Sequence, residues 1–336
     1  MKALSIVFQG PTGEPGKLSP EVRGNILHTR RFFPDAEMIV SSWRVTPVAD
    51  AALQRALDAI QVRLILNDDP GALIGSDEAG GYHCNVNRLL RSSFAGLAAA
   101  TRPLAVKLRT DTRLAGRGLE NMINRYVVEG RGPLRHPDYS VFTDRVINAS
   151  WFARDARGSL PFLYHPGDIL LAGRTEDLRL FFSAPIADTD LFQPSSVPGL
   201  WIPWRYVPEQ WLWVNAIRKV TGKTVYQGCL GGVDQDRQDS ELYFLNNFVP
   251  FRPRQLQLRW PKYWRCYPLR GLFSTMTFSR WEQLNAWYQR GQQGEPYRMP
   301  ERMLIALWRR GYILRAKLLR QPAIRRLAMR LFSHHR

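Results

Sequence analysis

Residues 3–11 read Ala-Leu-Ser-Ile-Val-Phe-Gln-Gly-Pro, an almost continuous apolar run that stops at a polar turn. Such a run predicts a strand buried on both faces, as in a parallel sheet covered by helices. The residues that follow support this. Ser19-Pro20-Glu21 supplies a cap, a first-turn proline and an acid, and Val22, Ile26 and Phe33 continue at near-helical spacing up to Pro34, which predicts a helix. Glu37 to Trp43 reads as a second strand, Ala51 to Ile60 as a second helix, and Val62 to Leu66 as a third strand ending in Asn67-Asp68-Asp69-Pro70-Gly71. Asn85 to Ala100 is a third helix, and Leu104 to Leu108 a fourth strand ending in Arg109-Thr110-Asp111.

Strands alternating with helices imply a mostly parallel, Rossmann-type α/β sheet flanked by helices. Ligands of such sheets bind beyond the carboxyl ends of the strands. Strands one, three and four end in Gln9-Gly10-Pro11, Asn67-Asp68-Asp69 and Arg109-Thr110-Asp111. That polar rim is the expected site.

The second half is less regular. Tyr139 to Ile147, Leu160 to Leu171 and Thr224 to Cys229 are candidate strands, and Pro208 to Val220 is a helix with Glu209 in its first turn and Gly222 just past its end. The tryptophans at 201, 204, 211, 213, 260 and 264 predict either an aromatic-walled cleft or a bulky core. Gly231-Gly232, followed by Asp234, Asp236 and Asp239, reads as an acidic loop or a lid.

Composition narrows the function classes. The 336 residues are 45% hydrophobic and carry 47 Lys and Arg against 29 Asp and Glu, a net charge of +18, so the chain has the apolar content of a folded protein and points to an anionic partner. The segment 301–336 holds nine Arg and one Lys against Glu301 alone, half of the excess. There, Leu304, Leu307, Trp308, Leu314, Leu318, Ile324, Leu327 and Leu331 interleave with basic residues at helical spacing, the pattern of a helix that lies on an anionic membrane surface. A terminal helix packed on the domain and a nucleic-acid patch compete with that reading, the second disfavoured because no strand carries a base-stacking aromatic pattern.

Cys84, Cys229 and Cys266 show no metal spacing. Residues 3–8 are too short for a signal peptide's apolar region and no run approaches a membrane span, so a cytoplasmic protein is expected. After the first strand there is no Gly-x-Gly-x-x-Gly, and the chain contains neither a P-loop nor a Gly-x-Ser-x-Gly elbow. Dinucleotide oxidoreductases, P-loop NTPases and elbow hydrolases therefore lose their main support.

Gln9-Gly10-Pro11, Ile39-Val40-Ser41-Ser42-Trp43, Asn67-Asp68-Asp69-Pro70-Gly71, Asn85-Val86-Asn87-Arg88 and Lys107-Leu108-Arg109-Thr110-Asp111, in this order and spacing, resemble the WavE family of lipopolysaccharide-synthesis proteins. The resemblance extends through Pro161-Phe162, Asp168 and Gly173 to Pro208-Glu209-Gln210, covering about residues 3 to 220. It implies a GT-A-like glycosyltransferase that moves a sugar from a nucleotide-sugar donor to a lipopolysaccharide, capsule or lipid-linked glycan acceptor. Residues 1–115 would be the donor half, 116–300 a smaller α+β acceptor half and 301–336 a basic amphipathic helical segment, with the protein peripheral on the inner face of the cytoplasmic membrane.

The departing diphosphate needs a charge to offset it. GT-A enzymes usually supply Mn²⁺ or Mg²⁺ held by a DxD motif. Here Asp111 stands at the last position of that motif, as the expected metal ligand, while Arg109 takes the place of the first Asp. Arg109 can itself meet a diphosphate as a bidentate cation, or form a local ion pair with Asp111. Asn67, Asp68 and Asp69 are the expected base contacts, or plain turn residues. Asn87 and Arg88 open the third helix, where an anion is favoured. Lys107, inward among apolar neighbours, pairs with a rim carboxylate or reaches the donor. For an inverting reaction the general base is expected to be Asp168 or Glu209. The alternative function is a non-catalytic polyanion- or nucleic-acid-binding protein.

Overall fold

In the computed structural model, residues 2–77, 80–193, 204–228, 234–261 and 272–332 are described. Cys229, Cys266, Trp201, Trp264, Gly231, Gly232 and residues 333–336 lie outside them.

The first strand, β1 (Leu4–Gln9), is buried along its length except at Gln9, as its apolar run requires. It is followed by α1 (Pro20–Phe32), β2 (Glu37–Trp43), α2 (Pro47–Asp58) and β3 (Arg63–Asn67). The Ser19 hydroxyl accepts the Val22 amide at 3.2 Å and Thr46 accepts that of Ala49 at 3.2 Å, so both helices start at side-chain caps followed by proline. α2 begins four residues earlier than its apolar spacing predicts, because Thr46-Pro47 is the stronger start signal.

A hairpin of β4 (Leu73–Asp77) and β5 (Gly80–Cys84) then leads into α3 (Val86–Ala98) and β6 (Leu104–Arg109). The hairpin is absent from the sequence expectation. After β7 (Arg113–Leu114) and α4 (Gly118–Ile123), the chain returns through β8 (Val146–Ala149) and β9 (Leu170–Arg174) into α5 (Thr175–Phe181). The remaining described elements are α6 (Pro208–Thr221), α7 (Asp234–Asn247), β10 (Phe248–Phe251), α8 (Pro253–Leu256), β11 (Leu258–Arg259), α9 (Phe278–Gln289), α10 (Met299–Leu319) and α11 (Pro322–Phe332).

One seven-stranded sheet has the order β10-β8-β9-β6-β1-β2-β3. β1 pairs in parallel with β2 and β6, β2 with β3, and β8 with β10, while β9 runs antiparallel between β6 and β8. The fold is therefore α/β with a mostly parallel sheet, as expected. The chain steps outward from β1 to β2 and β3, then crosses back to place β6 on the other side of β1, so a topological switch point lies between β1 and β6. Because β9 is reversed, its beginning shares a rim with the ends of β1, β6 and β8.

α3 packs closely on this sheet. A Cβ on Gly96 would come within 2.5 Å of Val7 Cγ1 and 3.0 Å of Ser41 Cβ. Gly96→Val is expected to destabilise the protein by about 1–3 kcal/mol through overpacking, read from denaturant midpoints.

Several second-half expectations change. Of 139–147, only Val146 and Ile147 enter a strand; before them lies a single 3-10 turn, Pro137–Tyr139. Of 160–171, only Leu170 and Leu171 do, since Pro161, Pro166 and Gly167 interrupt the run and Gly167 adopts φ +77°. Residues 224–228 form no strand. Asp234, Asp236 and Asp239 belong to α7 rather than to a loop. Trp213 is a core residue, fully buried against Phe142, Phe181 and Phe248.

Candidate active site at the sheet rim

The rim is built where β1 and β6 separate. Gly10 continues β1 with φ +126°, and its amide donates to the Ser41 carbonyl at 3.1 Å. A Cβ there would sit 3.2 Å from Thr110 Oγ1, so glycine allows the two loops to approach. Thr110 Oγ1 donates to the Pro11 carbonyl at 2.8 Å, closing the crevice. Gln9 is partly exposed at its edge.

On the β6 side, Arg109 and Asp111 form a two-pronged pair, with Nε to Oδ1 at 2.8 Å and Nη2 to Oδ2 at 2.9 Å. The Arg109 guanidinium also lies 5.1 Å from the Trp260 ring centroid. The two-residue ladder between β7 and β11 carries Trp260 there, and Trp151 and Phe152, just past β8, pack against it at 6.2 and 6.3 Å. Phe152 holds φ +62°, a costly conformation for an aromatic residue. Trp260 is itself buried in the core, as Trp213 is, so these two tryptophans meet the expectation of a bulky core rather than that of an open aromatic cleft.

A second group lies beneath the rim. Lys107 is fully buried within β6, and its ammonium donates to the Asp168 carbonyl at 2.7 Å and to Asp168 Oδ2 at 3.2 Å. Asp168 is near this lysine because it precedes the reversed strand β9. Glu209 enters from the first turn of α6, which Gln210 fixes: its Oε1 accepts the Val207 amide at 3.1 Å, and its Nε2 donates to the Leu163 carbonyl at 2.8 Å. Glu209 Oε2 lies 3.6 Å from His165 Nε2.

Burial, reinforced by the Asp168 charge, pushes the Glu209 carboxyl up to about 7, against smaller opposing effects of its own amide, Arg154 and Lys107. Burial and the neighbouring Arg154 hold His165 well below the usual imidazole range, so its contact with Glu209 is not an ion pair. Burial also lowers the Lys107 ammonium, while Asp168 opposes that shift. Two carboxylates with one buried cation between β6 and α6 give Glu209 a proton affinity suited to exchange near neutrality.

The other expected contacts are held within the protein. Arg88 and Asp69 bind each other through two hydrogen bonds of 2.7 Å, and Asp69 also accepts the Gly71 amide at 2.9 Å. Asp68 is almost wholly exposed and faces Arg44 at 3.3 Å. Asn67 is buried and donates to Ser41 Oγ and the Ser42 carbonyl, both at 2.9 Å, tying the ends of β2 and β3. Asn87 is buried too, exchanging 2.8 Å hydrogen bonds with the Ala187 backbone. The rim thus gathers Gln9, Gly10, Arg109 and Asp111 above Lys107, Asp168 and Glu209, while Arg88 and Asp69 form a separate pair.

A divalent ion needs several oxygen ligands. Both Asp111 oxygens face a guanidinium, and among the described residues no group of three His, Cys, Asp or Glu side chains stands together. In this arrangement the donor set does not fit a metal at Asp111. Sequence reasoning singles out neither Arg154 nor Trp151. Trp260 is among the tryptophans that the sequence places in a cleft or a core.

A family model described as WavE lipopolysaccharide synthesis matches residues 4–310. No curated protein sequence matches the chain. Solved structures with similarity include an active-site mutant of LgtC, at 9% identity over 75% of this chain and 73% of that one, with a TM-score of 0.34. Mouse xyloside xylosyltransferase 1 in its apo form is 10% identical over 74% and 84%, with a TM-score of 0.33. The glycosyltransferase GlyE of Streptococcus pneumoniae TIGR4 is 9% identical over 88% and 66%, also at 0.33.

Proposed function

Because the chain belongs to the WavE lipopolysaccharide-synthesis family, we propose that it is a GT-A-like glycosyltransferase acting on a lipopolysaccharide, capsule or other surface glycan. The observation that carries this reading is the rim at the switch point, where Gly10, Arg109 and Asp111 lie above the buried Lys107 and Asp168 and the half-buried Glu209. Residues 1–115 would bind the donor, with the nucleotide beyond the ends of β1 and β6. Residues 116–300 would bind the acceptor.

The acceptor hydroxyl attacks the anomeric carbon, the bond from that carbon to the diphosphate oxygen breaks, and the proton passes to Glu209. Asp168 raises the proton affinity of Glu209, and Lys107 holds Asp168 in position. Arg109, whose guanidinium is about one-third exposed, offsets the charge of the departing diphosphate as Asp111 releases it. No step here depends on a metal.

The docking of 302–336 on an anionic leaflet belongs to the same proposal and would place the protein on the cytoplasmic face of the membrane. Among the described residues no helix is long and apolar enough to cross a membrane.

Thermal shift against a panel of UDP, GDP, CMP, ADP and dTDP sugars, with and without Mn²⁺, tests the donor assignment. At least one sugar nucleotide is expected to raise Tm at millimolar concentration, and Arg109→Ala to abolish that rise. A flat response to the whole panel would count against the enzyme.

A further inference from the structure

A buried arginine lies at the end of the sheet away from the rim. Arg145 immediately precedes β8 and is 5% exposed. Its Nε donates to the Leu245 carbonyl at 3.0 Å, and its guanidinium lies 5.5 Å from the Trp281 ring centroid. Nη2 is buried and makes no hydrogen bond. Asp144, its neighbour in sequence, is turned to Arg174. The charged group that bears on Arg145 is Arg135, of like sign, and burial together with Arg135 pushes the Arg145 guanidinium down to about 10. Buried arginines are almost always paired, whereas among the described residues this one meets no carboxylate within ion-pair distance.

Arg145 stands directly behind the wall of a cavity of about 250 Å³, and two residues of that wall adjoin it. Gly132 holds φ +130°, and a Cβ there would sit 3.2 Å from Arg145 Nη1 and 3.7 Å from Trp281 Cη2, so glycine leaves Nη1 without a side chain over it. Trp281 is the other, and its indole N–H is buried without an acceptor. Tyr126 and Phe278, both half-buried, add apolar ring surface. Tyr126 comes from the π-helical turn Asn124–Val128, a distortion frequent at functional sites. At the mouth, Arg131 is taken by Glu129 at 2.7 Å, Arg125 lies 5.7 Å from the Tyr126 ring centroid, and Glu282 is an acid of the lining. The mouth is therefore close to neutral, and the uncompensated charge is that of Arg145.

A carboxylate fits this charge. Entering past Gly132, it meets Nη1 and then Nη2, the edge of the guanidinium that the Leu245 carbonyl leaves open, and two parallel bonds form there. A sugar ring bearing the carboxylate covers the Tyr126 and Phe278 surfaces, while its hydroxyls donate to Glu282 and exchange hydrogen bonds with the Gln289 amide. The volume admits one pyranose ring rather than a drug-sized ligand. We propose that this cavity binds a uronic-acid residue of an anionic glycan, with its carboxylate on Arg145 and its ring against Tyr126 and Phe278. None of the lining residues belongs to the rim site, so the cavity holds a segment of glycan and takes no part in the transfer. The choice of a sugar as ligand rests on the glycan reading above, whereas the unpaired charge and the cavity stand without it.

The test is a saturation-transfer NMR titration of the full chain with sodium methyl β-D-glucuronide, with methyl β-D-glucoside and sodium acetate as comparisons. It uses no sugar nucleotide and no turnover, so its failure is distinct from a flat response to the donor panel. The glucuronide is expected to bind saturably. The glucoside, which lacks the carboxylate, and acetate, which lacks the ring, should bind at least about tenfold more weakly, the loss of a charged hydrogen bond or of the ring contacts. Arg145→Gln should weaken the glucuronide by at least about tenfold while Tm of the free protein holds or rises, because a buried charge without a partner is removed. A lower Tm with unchanged affinity would make the arginine structural and overturn the site. Equal affinity for the glucoside would overturn the carboxylate assignment, equal affinity for acetate the sugar assignment, and absence of saturable glucuronide binding the cavity itself. If circular dichroism shows Arg145→Gln unfolded, Ala286→Phe, which fills the cavity from α9, carries the comparison, and an unchanged affinity in it refutes the proposal.

Discussion

Replacing Glu209 with Gln is expected to lower kcat by about 10²- to 10⁴-fold, the usual contribution of a general base, with a much smaller change in donor KM. Gln preserves the shape of the side chain and its place in the first turn of α6, so the loss reports the proton-accepting function rather than the fold. The pH profile gives a second readout. With its carboxyl near 7, wild-type Glu209 is protonated below that value and cannot accept a proton, so kcat rises as pH passes upward through about 7. Asp168→Asn removes the charge that raises Glu209 and moves this acid limb to lower pH. An unaltered kcat in Glu209→Gln, or a limb that ignores Asp168, would remove Glu209 from the proposed role.

Lys107→Met should cost about 3–5 kcal/mol of folding stability, the penalty of leaving a buried charge without its partner. The methionine fills most of the volume, but Asp168, 8% exposed in its side chain, loses its cation while Glu209 remains nearby. Denaturant unfolding measures the loss. The same substitution has a catalytic signature that a purely structural lysine would lack. Lys107 is among the groups that lower Glu209, so its removal moves the acid limb to higher pH, opposite to Asp168→Asn. A Lys107→Met protein with wild-type stability would contradict the ion-pair account.

The first half of the fold is legible because its signals are local. β1, β2, β3 and β6 are short apolar runs that end in polar turns, and α1 and α2 begin at Ser or Thr followed by proline. The second half resists such reading. β8, β9 and β10 are four or five residues long, too short to reveal a period, and their pairing partners lie far away in sequence. β10 pairs with β8 about a hundred residues before it. The 160–171 run reads as one strand, yet its first ten residues form an irregular segment that carries His165 and Asp168 to the rim.

The candidate site divides in the same way. Gln9, Gly10, Arg109 and Asp111 are recognisable from sequence because strand ends of a parallel sheet share one edge. Asn67 and Asn87 belong to that expectation too, but their side chains close hydrogen bonds within the fold, a fate that depends on partners outside their own segments. The basic tail also mixes two patterns. Its helical spacing is local, whereas Tyr312 is buried because Leu160 and Phe162, far away in sequence, supply a seat that Arg309 ties at the Arg157 carbonyl.

By itself, the sequence determined the α/β alternation, the polar rim and the concentration of positive charge after residue 300, since apolar periodicity, caps and composition act over a few residues. The sequence also offers the local pair of Arg109 with Asp111, which the structure forms, whereas tertiary structure alone decided that Arg88 closes on Asp69 and that Lys107 and Asp168 pair beneath the rim with Glu209 nearby. The Lys107 group depends on the reversal of β9, which brings Asp168 to the rim, and on the start of α6, which carries Glu209. Burial, not sequence neighbourhood, is also what gives Glu209 a proton affinity near neutrality.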